Sequence, residues 1–190
     1  VMSLSTHLCF RNVIIVNTHG GLLFVFWYSN QQFCVRWGNT YSTSFHTSNG
    51  VRQGGIISPI FFNIYMDELT DQLNNSKIGC AINGKTLNNI MYADDSCIMA
   101  TSIAGLQKLL DICARYANEF SMKYNDTKTK CMCFKPRSVF KDLHVPSVYL
   151  NGSELNFVEE VKYLGVLLQC NLQDTQDMMR HRKYLYAKGN

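Results

Sequence analysis

Two dipeptides, Asn83-Gly84 and Asn151-Gly152, constrain the fold of this chain more than any other feature. Each sits between two short β-prone runs: Ile78 to Ile82 before Thr86 to Met91, and Val148 to Leu150 before Glu154 to Phe157. A two-residue hairpin needs positive φ at its centre, which Asn and Gly tolerate, so both sites predict tight antiparallel turns. Gly38-Asn39, after Phe33 to Trp37 and before a Ser/Thr-rich return, predicts a third. Helical patterns lie between the hairpins. Ser58-Pro59 opens one, with serine as the expected cap and proline tolerated in the first turn. Its apolar stripe is Ile60, Phe61, Ile64, Leu69 and Leu73, ending at Asn74-Asn75. Ser102 is the expected cap of a second, whose stripe is Leu106, Leu109, Leu110, Cys113, Ala117 and Phe120. Cys131 to Phe134 and Val161 to Leu168 each read as one strand. The order predicts an α+β fold, strands meeting mostly as hairpins.

Composition narrows the class. Hydrophobic residues make up 46% and charged residues 17%, which excludes a disordered chain. The net charge of +4 permits a nucleic-acid partner without demanding one. Its distribution is uneven: from Val1 to Met66 there is no Asp or Glu, and only Arg11, Arg36 and Arg52 are cationic. The eight cysteines include no CxxC pair, which argues against a zinc site. With no secretory signal, reduced structural thiols in an intracellular protein, nuclear or cytoplasmic, are expected. The apolar run Leu22 to Tyr28 is far shorter than the ~20 residues a spanning helix needs, so no membrane partner is expected.

The chemistry centres on Tyr92-Ala93-Asp94-Asp95, placed by its flanking runs at the tip of a strand connection. Adjacent carboxylates repel unless a cation sits nearby, and hard ions such as Mg²⁺ (or Mn²⁺) favour oxygen ligands. Paired carboxylates of this kind hold the ions of two-metal phosphoryl transfer. A plain turn accounts for the pair equally well, since Asp commonly bonds backbone groups there.

The tetrapeptide has company. Tyr92 to Asp95 resembles motif C of the reverse transcriptase family, and alanine at the second position resembles the non-LTR (LINE-type) retrotransposon branch. Gly50-Val51-Arg52-Gln53-Gly54-Gly55-Ile56-Ile57-Ser58-Pro59 resembles motif B. Asn125-Asp126-Thr127-Lys128-Thr129 resembles the Asn-x-x-Lys-Thr that follows the motif D helix, and Tyr163-Leu164-Gly165 resembles motif E, the primer grip. All four stand in family order. The resemblance implies a partial polymerase palm, an antiparallel sheet with helices packed on one face, over residues 24–169. Residues 1–23 do not look family-like and stay unassigned; 170–190 form a C-terminal extension.

The implied activity is RNA-directed DNA polymerisation on an RNA template and DNA primer with dNTPs. Asp94 would be the metal-binding carboxylate and Asp95 a second acidic group. Arg52, Gln53 and Gly54 would line the template and nucleotide pocket, though Gly54-Gly55 also fits a simple turn before a helix. Lys128 would lie near the triphosphate, or be a solvated lysine. Tyr163, Leu164 and Gly165 would hold the primer terminus, or form ordinary core.

One family element is missing. Motif A supplies a carboxylate that bridges both metals, and nothing acidic precedes Asp67 here. Asp67 and Glu68 belong to the following helix and are not expected to replace it. The chain is therefore expected to bind metal weakly, to be inactive alone, and to expose a sheet edge where the motif A strand would pair. The alternatives are a non-enzymatic transposon remnant, or a nucleic-acid-binding module using the modest basic run from Lys123 to Arg137 and the basic tail.

Overall fold

A computed structural model describes residues 2–5, 30–46, 54–134 and 145–189. Within them the fold is mixed α/β, with small antiparallel sheets. The strands are β1 (Met2–Ser5), β2 (Gln32–Phe33), β3 (Arg36–Trp37), β4 (Thr40–Tyr41), β5 (Phe45–His46), β6 (Cys80–Ile82), β7 (Lys85–Leu87), β8 (Asn89–Tyr92), β9 (Asp95–Ile98), β10 (Lys123–Tyr124), β11 (Val148–Leu150), β12 (Ser153–Leu155), β13 (Glu160–Tyr163) and β14 (Val166–Gln169). The described helices are α1 (Ser58–Asn75), α2 (Ile103–Glu119) and α3 (Thr175–Gly189).

The core lies between α1 and α2. Phe62, Tyr65, Met66, Leu69 and Leu73 of α1 meet Leu109, Leu110, Cys113, Tyr116 and Ala117 of α2. The Tyr65 ring packs edge-on against Phe120 at 4.9 Å and Tyr116 at 6.4 Å. Each tyrosine hydroxyl also donates across the interface, Tyr116 to the Tyr65 carbonyl and Tyr65 to the Phe120 carbonyl. The hydroxyls of Tyr65 and Tyr116 are thus both bonded within the core.

The expected stripe of α1 is only partly right. Ile60 and Ile64 are 58% and 53% exposed, because α2 packs against the neighbouring stripe that runs from Phe62 through Leu69. The expected serine cap of α1 is also corrected: Ile57 is the N-cap, no side chain caps it, and Ser58 is already helical and buried. The cap of α2 stands as expected, Ser102 Oγ accepting from the Gly105 N–H at 3.1 Å. That helix stops at Ser121, where φ turns positive (55°) and the Met122 N–H bonds back to the Ala117 carbonyl.

The largest described sheet has the order β10-β1-β9-β8. Met2 pairs with Ser96 and Ser3 with Asp95, while Leu4 pairs with Tyr124 and Ser5 with Lys123. The expected open edge beside β9 is therefore absent: β1, from the segment left unassigned, fills that place. Three of the expected β-prone runs are corrected. Thr86 to Met91 breaks at Asn88 into β7 and β8, and Val161 to Leu168 breaks at Leu164-Gly165 into the β13–β14 hairpin. Cys131 to Phe134 makes only an isolated bridge, Cys131 to Phe157.

Asn88 causes the first break. It is fully buried, and its amide donates to the Leu73 carbonyl at 2.6 Å and the Ile78 carbonyl at 2.8 Å. Its own carbonyl accepts from the Met99 N–H at 2.8 Å, closing the open end of the β8–β9 hairpin. One residue thus ties the end of α1 to the segment entering the β6–β7 hairpin through its side chain, and to the base of β8–β9 through its backbone.

Candidate active site

The β8–β9 hairpin pairs Asn89 with Ile98, Ile90 with Cys97, Met91 with Ser96 and Tyr92 with Asp95. Ala93 and Asp94 are therefore the two turn residues, and Asp95 is already the first residue of β9. Asp94 is exposed and Asp95 half-buried. Ala93 has φ +49°, a left-handed conformation that costs a residue with a Cβ roughly 1 kcal/mol. The turns at Asn83-Gly84 and Asn151-Gly152 use residues suited to positive φ; this one does not.

An open cleft of about 220 Å³ lies between the hairpin and α1, lined by Asn63, Met66, Asp67, Thr70, Met91 and Ala93. Asp67 thus faces the hairpin tip. Among the described residues, however, no three His, Cys, Asp or Glu side chains group closely enough to hold a metal ion. Asp94 and Asp95 fit a single hard cation that keeps most of its waters. They do not fit a bridged pair of ions, since no third carboxylate joins them among the described residues.

Tyr163 is the contact that joins two of the sequence motifs. Its hydroxyl donates to the Ile90 carbonyl of β8 at 3.1 Å, so the β13–β14 hairpin leans on the hairpin that carries the aspartates. Partial burial pushes the Tyr163 phenol above its ordinary value, with smaller contributions from Cys97 and the Asp95 carboxylate nearby. The following turn, Leu164-Gly165, has φ of +47° and +88°. It too puts a side-chain-bearing residue in the left-handed region, and Leu164 is exposed.

The remaining candidates divide. Arg52 and Gln53 lie outside the described residues. Gly54 has φ +77°, and nothing lies within 4 Å of an added Cβ, so the backbone conformation, not crowding, is what calls for glycine. Lys128 is exposed, in a turn built by its neighbour: Asn125 Oδ1 accepts from the Lys128 N–H at 3.2 Å and from Thr127 Oγ1 at 2.7 Å. Thr129 is buried and donates through Oγ1 to the Asn125 carbonyl at 2.8 Å. Asn125 and Thr129 thus shape the loop that presents the lysine. This loop follows β10, two strands from β9, or roughly 10 Å at ordinary strand spacing.

Sequence reasoning missed Asn88 and the cleft face of Asp67. A buried Asn in a β-prone run was the available signal for the first, but burial cannot be read locally. Burial in the helix core pushes the Cys113 thiol up to about 12. No described helix is long and apolar enough to cross a membrane.

Comparison with known proteins adds an independent line. Residues 9–168 match the family described as Reverse transcriptase (RNA-dependent DNA polymerase). Among curated relatives, the chain is 35% identical over 130 residues to the Retrovirus-related Pol polyprotein from type-2 retrotransposable element R2DM of Drosophila melanogaster, covering 66% of this chain and 12% of that protein. It is 25% identical over 164 residues to the Probable RNA-directed DNA polymerase from transposon X-element of Drosophila melanogaster, covering 83% of the chain and 17% of the relative. The RNA-directed DNA polymerase from mobile element jockey of Drosophila funebris is 29% identical over 153 residues, covering 77% and 16%. The chain therefore spans less than a fifth of the length of each.

Proposed function

The chain belongs to the reverse transcriptase family, on its non-LTR retrotransposon branch, and from that premise we propose that residues 24–169 are part of the palm of an RNA-directed DNA polymerase. The observation that carries this reading is the Asp94–Asp95 hairpin tip with Tyr163 bonded to its backbone, two motifs distant in sequence held side by side. In the reading, Asp94 and Asp95 are the acidic groups facing the reacting phosphate. The Tyr163-Leu164-Gly165 turn supports the primer terminus. Arg52, Gln53, Gly54 and Lys128 serve the template base and incoming dNTP. RNA template and DNA primer are the partners.

Magnesium or manganese, when bound, would supply charge neutralisation at the phosphoryl group and lower the barrier to attack by a primer 3′-hydroxyl. What the chain's own residues do is more limited. Asp94, exposed in its turn, can offer a carboxylate to a hydrated cation, and Asp95 adds negative charge to the same tip. Tyr163 fixes the distance between the tip and the primer-contacting turn. Among the described residues no third carboxylate joins Asp94 and Asp95, and the acid-free stretch from Val1 to Met66 offers none. The proposal therefore includes inactivity of these 190 residues alone. A second reading, a transposon remnant without enzymatic activity, is favoured by that same stretch.

Primer extension tests both. Purified chain, RNA template, DNA primer, dNTPs and Mg²⁺ or Mn²⁺ are compared with Asp94→Asn. No product above the variant is expected. Product that disappears in the variant would overturn the inactivity and restore a working site.

A further inference from the structure

The helix α3 has no buried residue, yet it is fixed to the rest of the chain at one place. Asp177 Oδ1 accepts from the Leu167 N–H of β14 at 3.0 Å, and Arg180 donates to the Gly165 carbonyl. Arg180 also reaches Asp177, its Nε lying 3.1 Å from Oδ1. The Leu167 N–H lies on the edge of β14 away from β13, and the Gly165 carbonyl belongs to the turn that leads into that strand. Carboxylate to N–H and guanidinium to C=O are the contacts a neighbouring strand would make. A two-stranded hairpin is marginal alone, and this pair stands in for the third strand.

Helix capping does not explain the arrangement, because Leu167 and Gly165 belong to the hairpin and not to α3. Nor is it an ordinary surface ion pair. The Asp177 side chain is only 16% exposed, and hydrogen bonds from Arg180 and then from Leu167 hold its carboxyl below the usual range. His181 Nε2, 3.5 Å from the other Asp177 oxygen, adds positive charge when protonated.

The contact falls on a turn already gripped from the other side. Tyr163 bonds to β8, Gly165 is held by Arg180, and between them Leu164 keeps positive φ with its side chain exposed. We propose that Asp177 and Arg180 are positioning residues for the Tyr163-Leu164-Gly165 turn, fixing its pose against the hairpin of Asp94 and Asp95. The inference rests on the reading of that turn as the primer-terminus support. Its added content is that the turn's pose is set from outside, by two charged side chains of α3.

The test needs no catalysis. The full chain is mixed with an RNA template and DNA primer whose 3′-terminal base is 2-aminopurine, and whose template carries a fluorescein at the far end. Anisotropy of the fluorescein reports overall binding; 2-aminopurine emission reports the environment of the primer terminus. The unsubstituted chain is expected to change both signals. Asp177→Ala and Arg180→Gln are expected to keep the anisotropy change and lose the 2-aminopurine change, with helix content and melting of the α1–α2 core intact by circular dichroism. Should both variants retain the 2-aminopurine change, the positioning role is refuted. Should both lose binding altogether, the pair is a stability element only, which refutes it equally. If the unsubstituted chain binds without altering 2-aminopurine, the primer-terminus reading itself fails, a result visible before any substitution is made.

Discussion

Replacing Asn88 by leucine should cost about 2–4 kcal/mol of stability, the sum of one orphaned carbonyl and one lost bond. The side chain is fully buried and donates to two carbonyls, those of Leu73 and Ile78. They do not suffer equally. The Leu73 carbonyl also accepts from Ser76, through its N–H at 3.2 Å and its hydroxyl at 2.6 Å, so it keeps partners and only one bond of ~1 kcal/mol goes. The part-buried Ile78 carbonyl loses the Asn88 amide outright, and leaving it without a partner costs ~1–3 kcal/mol where water does not reach it. Leucine keeps the branched shape of asparagine but is bulkier, so no cavity is left and any crowding at this fully buried position adds to the cost. Against a typical total of ~5–15 kcal/mol, the change would move the urea midpoint visibly. The assay is urea denaturation of the variant beside the unsubstituted chain, followed by far-UV circular dichroism at equal m. A loss under ~1 kcal/mol would refute the reasoning, because it would mean that water or a rearranged neighbour satisfies Ile78.

Three further outcomes are expected. Ser3→Asp places a carboxylate directly across from Asp95 in the β1–β9 pairing; without divalent ions this should lower stability by ~0.2–1 kcal/mol, and added Mg²⁺ should reverse the loss. Thermal melts of this variant and Ser3→Ala with and without Mg²⁺ check it, and equal Mg²⁺ responses would count against the register. Tyr163→Phe removes the bond to the Ile90 carbonyl and should cost ~0.5–1.5 kcal/mol, with faster amide exchange confined to the β13–β14 hairpin as the local signature. Acidification should release α3 from β14. The Asp177 carboxyl is held below its ordinary value of 3.8, so its contribution is complete above that pH and fades as pH falls through the lowered value. The protection factor of the Leu167 amide, its exchange relative to the intrinsic rate at each pH, reads the release, and Asp177→Asn should remove the pH dependence of that factor.

Much of the local structure was legible. Asn83-Gly84 and Asn151-Gly152 declare their hairpins because the turn conformation demands residues that tolerate positive φ, and that demand is local. The limits of α1 and α2 follow from 3.6-residue periodicity, and the Asp94–Asp95 tip from the β-prone runs around it. The turn at Leu164-Gly165 was harder, for the same reason. Leu164 holds positive φ without being a residue that announces it, so Val161 to Leu168 read as one strand and hid the hairpin at Gly165.

What tertiary structure alone decided involves partners far apart in the chain. Met2 to Ser5 alternate apolar and polar over only four residues, too short a run to announce a strand, yet they become the middle of the sheet by pairing with residues near 95 and 124. Which stripe of α1 is buried depended on where α2 lies, and this leaves Ile60 and Ile64 in solvent. Gln107 closes the edge of β11 with a pair of bonds to the Tyr149 backbone, and Asp177 with Arg180 does the same for β14. A side chain that completes another element's backbone bonding is invisible in its own sequence neighbourhood. The sequence by itself determined the turns, the helices and the acidic tip, because each is a property of consecutive residues. The sheet order, the buried faces and the clamped edges came only with the fold, because each is a property of residues that meet across it.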